Sequence, residues 1–103
     1  MKQLDHPDVN GIRLEAVLAA LADPVRLSIV ASLSDEGEHS ASAFDCDIAS
    51  STLSHHLKVL REAGVISHRK EGTRCFVSLR PELDQVFPGL LKTVLDFAPK
   101  DRG

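Results

Sequence analysis

The sequence predicts a mainly helical domain with one small β-hairpin, its elements running in the order α-α-α-α-β-β-α. Three observations predict it. Leucine- and alanine-rich stretches recur with helical spacing over 12–22, 24–33, 51–63 and 89–98. The segment 65–79 reads instead as a hairpin, with Gly72 in its turn and an alternating second arm. A chain of 103 residues, 43% hydrophobic and 26% charged, has material for one modest core.

Each element has a local reason. Residues 1–11 are polar, contain Pro7 and Gly11 and have no period, so they read as an arm, with His6, Pro7 and Asp8 solvated. Ile12, Leu14, Val17, Leu18 and Leu21, filled in by alanines, make a first helix ending near Ala22. Asp23-Pro24 reads as the start of a second, with an acidic N-cap and proline in the first turn. Its inner face is Val25, Ile29, Val30 and Leu33. A loop over 35–42 leads to a short helical segment over 43–48, anchored by Phe44 and Ile48. Leu53, Leu57 and Leu60 then recur at i, i+4 and i+7, with Ser50 as N-cap and Gly64 as the stop. Ser51, Ser54, His55, Lys58 and Glu62 fall opposite that leucine stripe, flanked by Thr52, His56 and Arg61.

The hairpin follows directly. Cys75, Val77 and Leu79 take one face of its second arm, and Arg74, Phe76 and Ser78 take the other. Gly72 supplies the positive φ of the turn. Pro88 is predicted at the first position of a final helix bearing Leu90, Leu91, Val94, Leu95, Phe97 and Ala98. The folded domain is therefore expected over 12–98, with a polar tail over 99–103. A polar-faced helix followed by a basic hairpin is the winged helix-turn-helix plan, in which the helix enters the major groove.

Composition narrows the function. No run approaches the ~20 apolar residues of a membrane span, and no signal peptide is evident, so a soluble cytoplasmic protein without membrane partners is expected. Two cysteines make no disulfide framework and are expected as partly buried thiols. The net charge of −3 is unevenly spread. Residues 1–49 carry three basic and nine acidic side chains, residues 50–80 six and two, and residues 81–103 three and four. The middle third is thus a net +4 within an acidic chain, a positive face suited to phosphate. No glycine-rich phosphate loop and no nucleophile–base–orienter set is evident, so an enzyme is not expected.

The run Ser51-Thr52-Leu53-Ser54-His55-His56-Leu57-Lys58-Val59-Leu60-Arg61-Glu62-Ala63-Gly64-Val65-Ile66 resembles the recognition helix of ArsR/SmtB-type transcriptional repressors. Ala20-Leu21-Ala22-Asp23-Pro24-Val25-Arg26-Leu27 is similar to that family's second-helix entry, and Arg69-Lys70-Glu71-Gly72 to its wing. The resemblance covers roughly residues 12–80. It implies a homodimeric repressor on double-stranded operator DNA, with the first and last helices packed across the two-fold axis. Leu14, Val17, Leu18, Leu21, Leu90, Leu91, Val94 and Leu95 are the residues expected at that interface. Metal-sensing members carry Cys-x-Cys on the third helix, or histidines and acids on the last. Here those places read Asp45-Cys46-Asp47 and a final helix without histidine or cysteine, so no metal or other cofactor is expected.

The DNA-contacting set expected from these readings is Ser50, Ser51, Thr52, Ser54, His55, His56, Lys58, Arg61, Arg69, Lys70 and Arg74. The cations are assigned to phosphate, which gives affinity, and Ser51, Thr52, Ser54 and His55 to base edges, which give specificity. Titration of histidine near pH ~6.5 predicts DNA binding that tightens on acidification. Two other classes compete: a winged-helix module that pairs with protein, and a repressor switched by oxidation of Cys75 or Cys46.

Overall fold

The computed structural model describes residues 2–3, 6–36, 42–45 and 50–98. Five α-helices and four short strands fill them. In chain order these are β1 (Lys2–Gln3), a 3-10 turn (Val9–Gly11), α1 (Leu14–Leu21) and α2 (Pro24–Glu36). Then come β2 (Ser42–Asp45), α3 (Ser51–Ala63), β3 (Ile66–Glu71), β4 (Arg74–Leu79), α4 (Glu82–Val86) and α5 (Leu90–Asp96). The winged helix-turn-helix plan holds.

The local signals act as expected at both principal helix starts. Asp23 Oδ1 accepts from the backbone N–H groups of Val25 at 2.8 Å and Arg26 at 3.1 Å, satisfying two donors that a helix start leaves open. Ser50 does the same for α3, its hydroxyl accepting from Leu53 N–H at 3.0 Å. Gly64 ends α3 at φ 90°, in the left-handed region. A Cβ there would also lie 2.7 Å from Ile12 Cγ1, so two independent constraints demand glycine. A side chain at that φ alone costs about 1–3 kcal/mol.

The core lies where α1, α2 and α3 meet the inner face of the hairpin. Val17, Ala20 and Leu21 of α1 pack with Val30 and Leu33 of α2 and with Leu57, Leu60 and Ala63 of α3. Val65, Ile66 and Val77 close it from the sheet, and Leu83 from α4. Val17 and Leu21, expected at a dimer interface, are therefore spent inside the protomer, whereas Leu14 and Leu18 remain 43% and 45% exposed. Val25, expected on the inner face of α2, is 50% exposed.

Three elements depart from the expected plan. The segment read as a short helix over 43–48 begins instead as strand β2, antiparallel to β4 with Phe44 opposite Cys75. A helix of six residues barely repays its nucleation, while the open edge of β4 offers a ready backbone ladder. Residues 46–49 lie outside the described residues. Second, α4 lies where only proline punctuation was read; Leu83, Val86 and Phe87 recur at i, i+3 and i+4, and Leu83 is fully buried. Third, Pro88 lies before the last helix rather than in its first turn, and Gly89 at φ 79° is the N-cap of α5.

The hairpin is the middle of a four-stranded sheet ordered β1-β3-β4-β2. The amino-terminal arm is thus attached: Lys2 and Gln3 pair with Lys70 and Arg69 of β3. His6, read as solvated, accepts a hydrogen bond at Nε2 from the backbone N–H of His68 at 3.0 Å. The tail over 99–103 lies outside the described residues.

Candidate nucleic-acid interface

Helix α3 presents a polar stripe to solvent. Ser51, Thr52, Ser54, His55, Lys58 and Glu62 are exposed, while Leu57, Leu60 and Ala63 are buried on the far side. The seating is set by the leucine stripe, whose burial fixes the rotation of the helix about its axis. Ser50 stands at the exposed start of this stripe with its hydroxyl used as the cap.

The hairpin supplies the second part. Its register puts Arg69 opposite Phe76 and Glu71 opposite Arg74 on one face, with His68 opposite Val77 and Lys70 opposite Cys75 on the other. The Arg69 guanidinium lies 4.6 Å from the centroid of the Phe76 ring, a cation–π arrangement that holds it on the outer face. Its Nε is 3.6 Å from a Glu71 carboxylate oxygen, and both side chains remain partly exposed. Such a pair in solvent adds little stability and leaves Arg69 able to exchange partners. Arg74 is exposed at the start of β4, and Lys70 is half-buried.

Two residues expected to contact DNA have neighbours within the protomer. His56 is half-buried, and its Nδ1 lies 3.3 Å from Arg26 Nη1 on α2. Arg61 is half-buried on the β3 side of α3, near enough to His68 for its charge to act on that imidazole. Desolvation first, then Arg61 and His6, push the His68 pKa below its ordinary value. Arg26, His6 and His68 were not expected as site neighbours. The signal for His68 was present, since it shares the parity of Ile66 on the inner face. Arg26 follows the Asp23-Pro24 helix start by two residues, where a long cation can fold back onto the preceding helix end.

Cys75 is 5% exposed and is disulfide-bonded, not the free thiol expected. Cys46, the other cysteine of the chain, lies outside the described residues. Among the described residues no group of three or more His, Cys, Asp or Glu side chains could hold an ion. Asp96, the one acid of α5, is paired with Lys92 Nζ at 3.2 Å. No single helix among the described residues is long and apolar enough to cross a membrane.

An exposed polar helix stripe beside a cation-bearing hairpin defines a winged helix-turn-helix DNA-binding protein. Comparison with known proteins agrees. A family profile described as a helix-turn-helix domain matches residues 21–69. The HTH-type transcriptional regulator YceK of Bacillus subtilis is 37% identical over 98 residues, covering 91% of this chain and 93% of that one. The cadmium resistance transcriptional regulatory protein CadC homolog of Staphylococcus aureus is 37% identical over 79 residues, 71% of this chain and 62% of its own. The arsenic resistance transcriptional regulator ArsR1 of Pseudomonas putida is 32% identical over 82 residues, 78% and 64% of the respective chains. This chain belongs to the ArsR family of helix-turn-helix transcriptional regulators, which are not enzymes.

Proposed function

We propose that this regulator is a cytoplasmic homodimeric repressor that binds a pseudo-palindromic operator in double-stranded DNA. The observation that carries the reading is the exposed polar stripe of Ser51, Thr52, Ser54, His55 and Lys58 on α3, followed directly in the chain by a hairpin whose outer face carries Arg69 and Arg74. In this reading Lys58, Arg69 and Arg74, with half-buried Lys70 from the other face of β3, take phosphates, and Ser51, Thr52, Ser54 and His55 reach base edges. Ser50 caps the helix, and its neighbouring backbone stands at the helix N-terminus, where anions are favoured. His56 and Arg61 act through α3 rather than on DNA. Exposed Leu14 and Leu18 on α1, and Phe97 just after α5 at 85% exposure, supply apolar surface for the second copy. The partly buried Leu90, Leu91, Val94 and Leu95 pack against the protomer's own core and back that surface. Two recognition helices would then enter successive major grooves about 10 base pairs apart. The regulator is read as metal-independent, because the Cys75 sulfur is committed to a disulfide and α5 offers only the paired Asp96. The test is the salt dependence of its affinity for duplex DNA.

The disulfide at Cys75 favours a second, compatible reading, a thiol-based switch. Reduction by a dithiol would add two electrons and two protons and release two thiols, one of them in β4, the strand that carries Arg74 and Phe76. Operator affinity is then expected to differ between protein treated with dithiothreitol and protein treated with diamide, and not to differ for Cys75→Ser. Equal affinity of the wild type in both states would remove the switch and leave the disulfide as a structural bond.

A further inference from the structure

We propose that Arg26 and His56 are positioning residues that clasp the recognition helix to the corner between α1 and α2. The clasp rests on the DNA-binding reading above and assigns His56 to it rather than to DNA. Arg26 lies in the first turn of α2, and its guanidinium reaches three groups. Nε donates to the Ala20 carbonyl at 2.7 Å, Nη2 to the Ala19 carbonyl at 3.5 Å, and Nη1 lies 3.3 Å from His56 Nδ1.

The corner makes these contacts necessary. The Ala20 carbonyl would ordinarily accept from the N–H four residues on, but that residue is Pro24, which has none. A guanidinium is a natural substitute at a helix C-terminus, where it also meets the favourable end of the helix dipole. Asp23 holds the same turn from below by capping the Arg26 and Val25 N–H groups. Arginine cannot accept a hydrogen bond, so His56 must present a bare Nδ1 and carry its proton on Nε2. One planar cation thereby ties the end of α1, the start of α2 and the middle of α3.

His56 lies one residue from His55 and two from Ser54 and Lys58 on the exposed stripe. Release of the clasp would loosen the helix that carries every proposed base contact and Lys58, while leaving each of those side chains present. The charged and titratable groups around His56 are Arg26 from α2, Asp23 from the corner and His55 on its own helix, the last with ring centroids 6.0 Å apart. From α1 the corner presents only the carbonyls of Ala19 and Ala20.

The experiment uses the full chain and a duplex that the wild type selects from a random pool. His56→Asn keeps an acceptor near the Nδ1 position and is expected to bind within about twofold of wild type at pH 7.5. His56→Leu removes the acceptor and is expected to bind about tenfold more weakly, the scale of one hydrogen bond to a charged group. Base preference and salt slope stay as in the wild type, and Arg26→Ala combined with His56→Leu binds no more weakly than Arg26→Ala alone. His56→Asn as weak as His56→Leu, a changed base preference, or a salt slope reduced by about one phosphate would each put His56 on the DNA and overturn the clasp. Full affinity of His56→Leu would overturn it equally. A wild type that selects no duplex would overturn the DNA-binding reading, and the purpose of the clasp with it.

Discussion

His68 is the clearest case of one residue whose environment decides how the molecule responds to its solution. It is 8% exposed on the inner face of β3, with Arg61 of α3 and His6 of the arm acting on it. Burial and both neighbours disfavour its protonated form, so its folded pKa lies below the ordinary value of 6.5. The contribution to stability is therefore complete above pH 6.5 and is lost as pH falls through that value towards the folded pKa, where the unfolded chain binds the extra proton. The melting temperature is expected to fall between pH 7.5 and 5.5, and less steeply for His68→Gln. Parallel falls in both proteins would show that His68 does not carry the effect. The same scale shows what a sequence can and cannot reveal. The exposed set on α3 was legible because each residue's place follows from its distance to Leu53, Leu57 and Leu60. The destination of His56 was not, since only the fold brings residue 26 beside it across 30 positions.

Among the elements, α3 was legible from end to end. Its cap, stripe and stop are all local, and each is found where the residues predict it. Strand β2 was not, because its partner is β4, some thirty residues further along, and strand pairing leaves no mark within the segment itself. The pairing of β1 with β3 was hidden for the same reason. Helix α1 falls between these cases. Its apolar periodicity was plain, but the division of that face between core and partner was not. Val17 and Leu21 go to the core, and Leu14 and Leu18, one turn apart, are left outside. If that remainder is the dimer contact, Leu18→Glu should yield monomers at micromolar concentration in sedimentation equilibrium while leaving the helical circular dichroism intact. A dimer that survives the substitution would move the interface elsewhere.

At the scale of the whole molecule, charge is divided in the way a DNA reader requires. The net +4 of residues 50–80 falls on α3, the hairpin and the short step after it, within a chain that is acidic overall. The acidic remainder weakens non-specific adhesion and leaves one face attractive to a phosphate backbone. In the proposed reading, affinity for duplex DNA depends on counterions released by the named side chains. The decisive measurement is the affinity for a selected duplex across a series of salt concentrations, for the wild type and for Lys58→Ala. A logarithmic plot is expected to fall with a slope of about −0.9 for each phosphate neutralised, and Lys58→Ala should lessen that slope by about one phosphate per protomer. A flat plot would contradict the account and leave the helix and hairpin as a surface for protein.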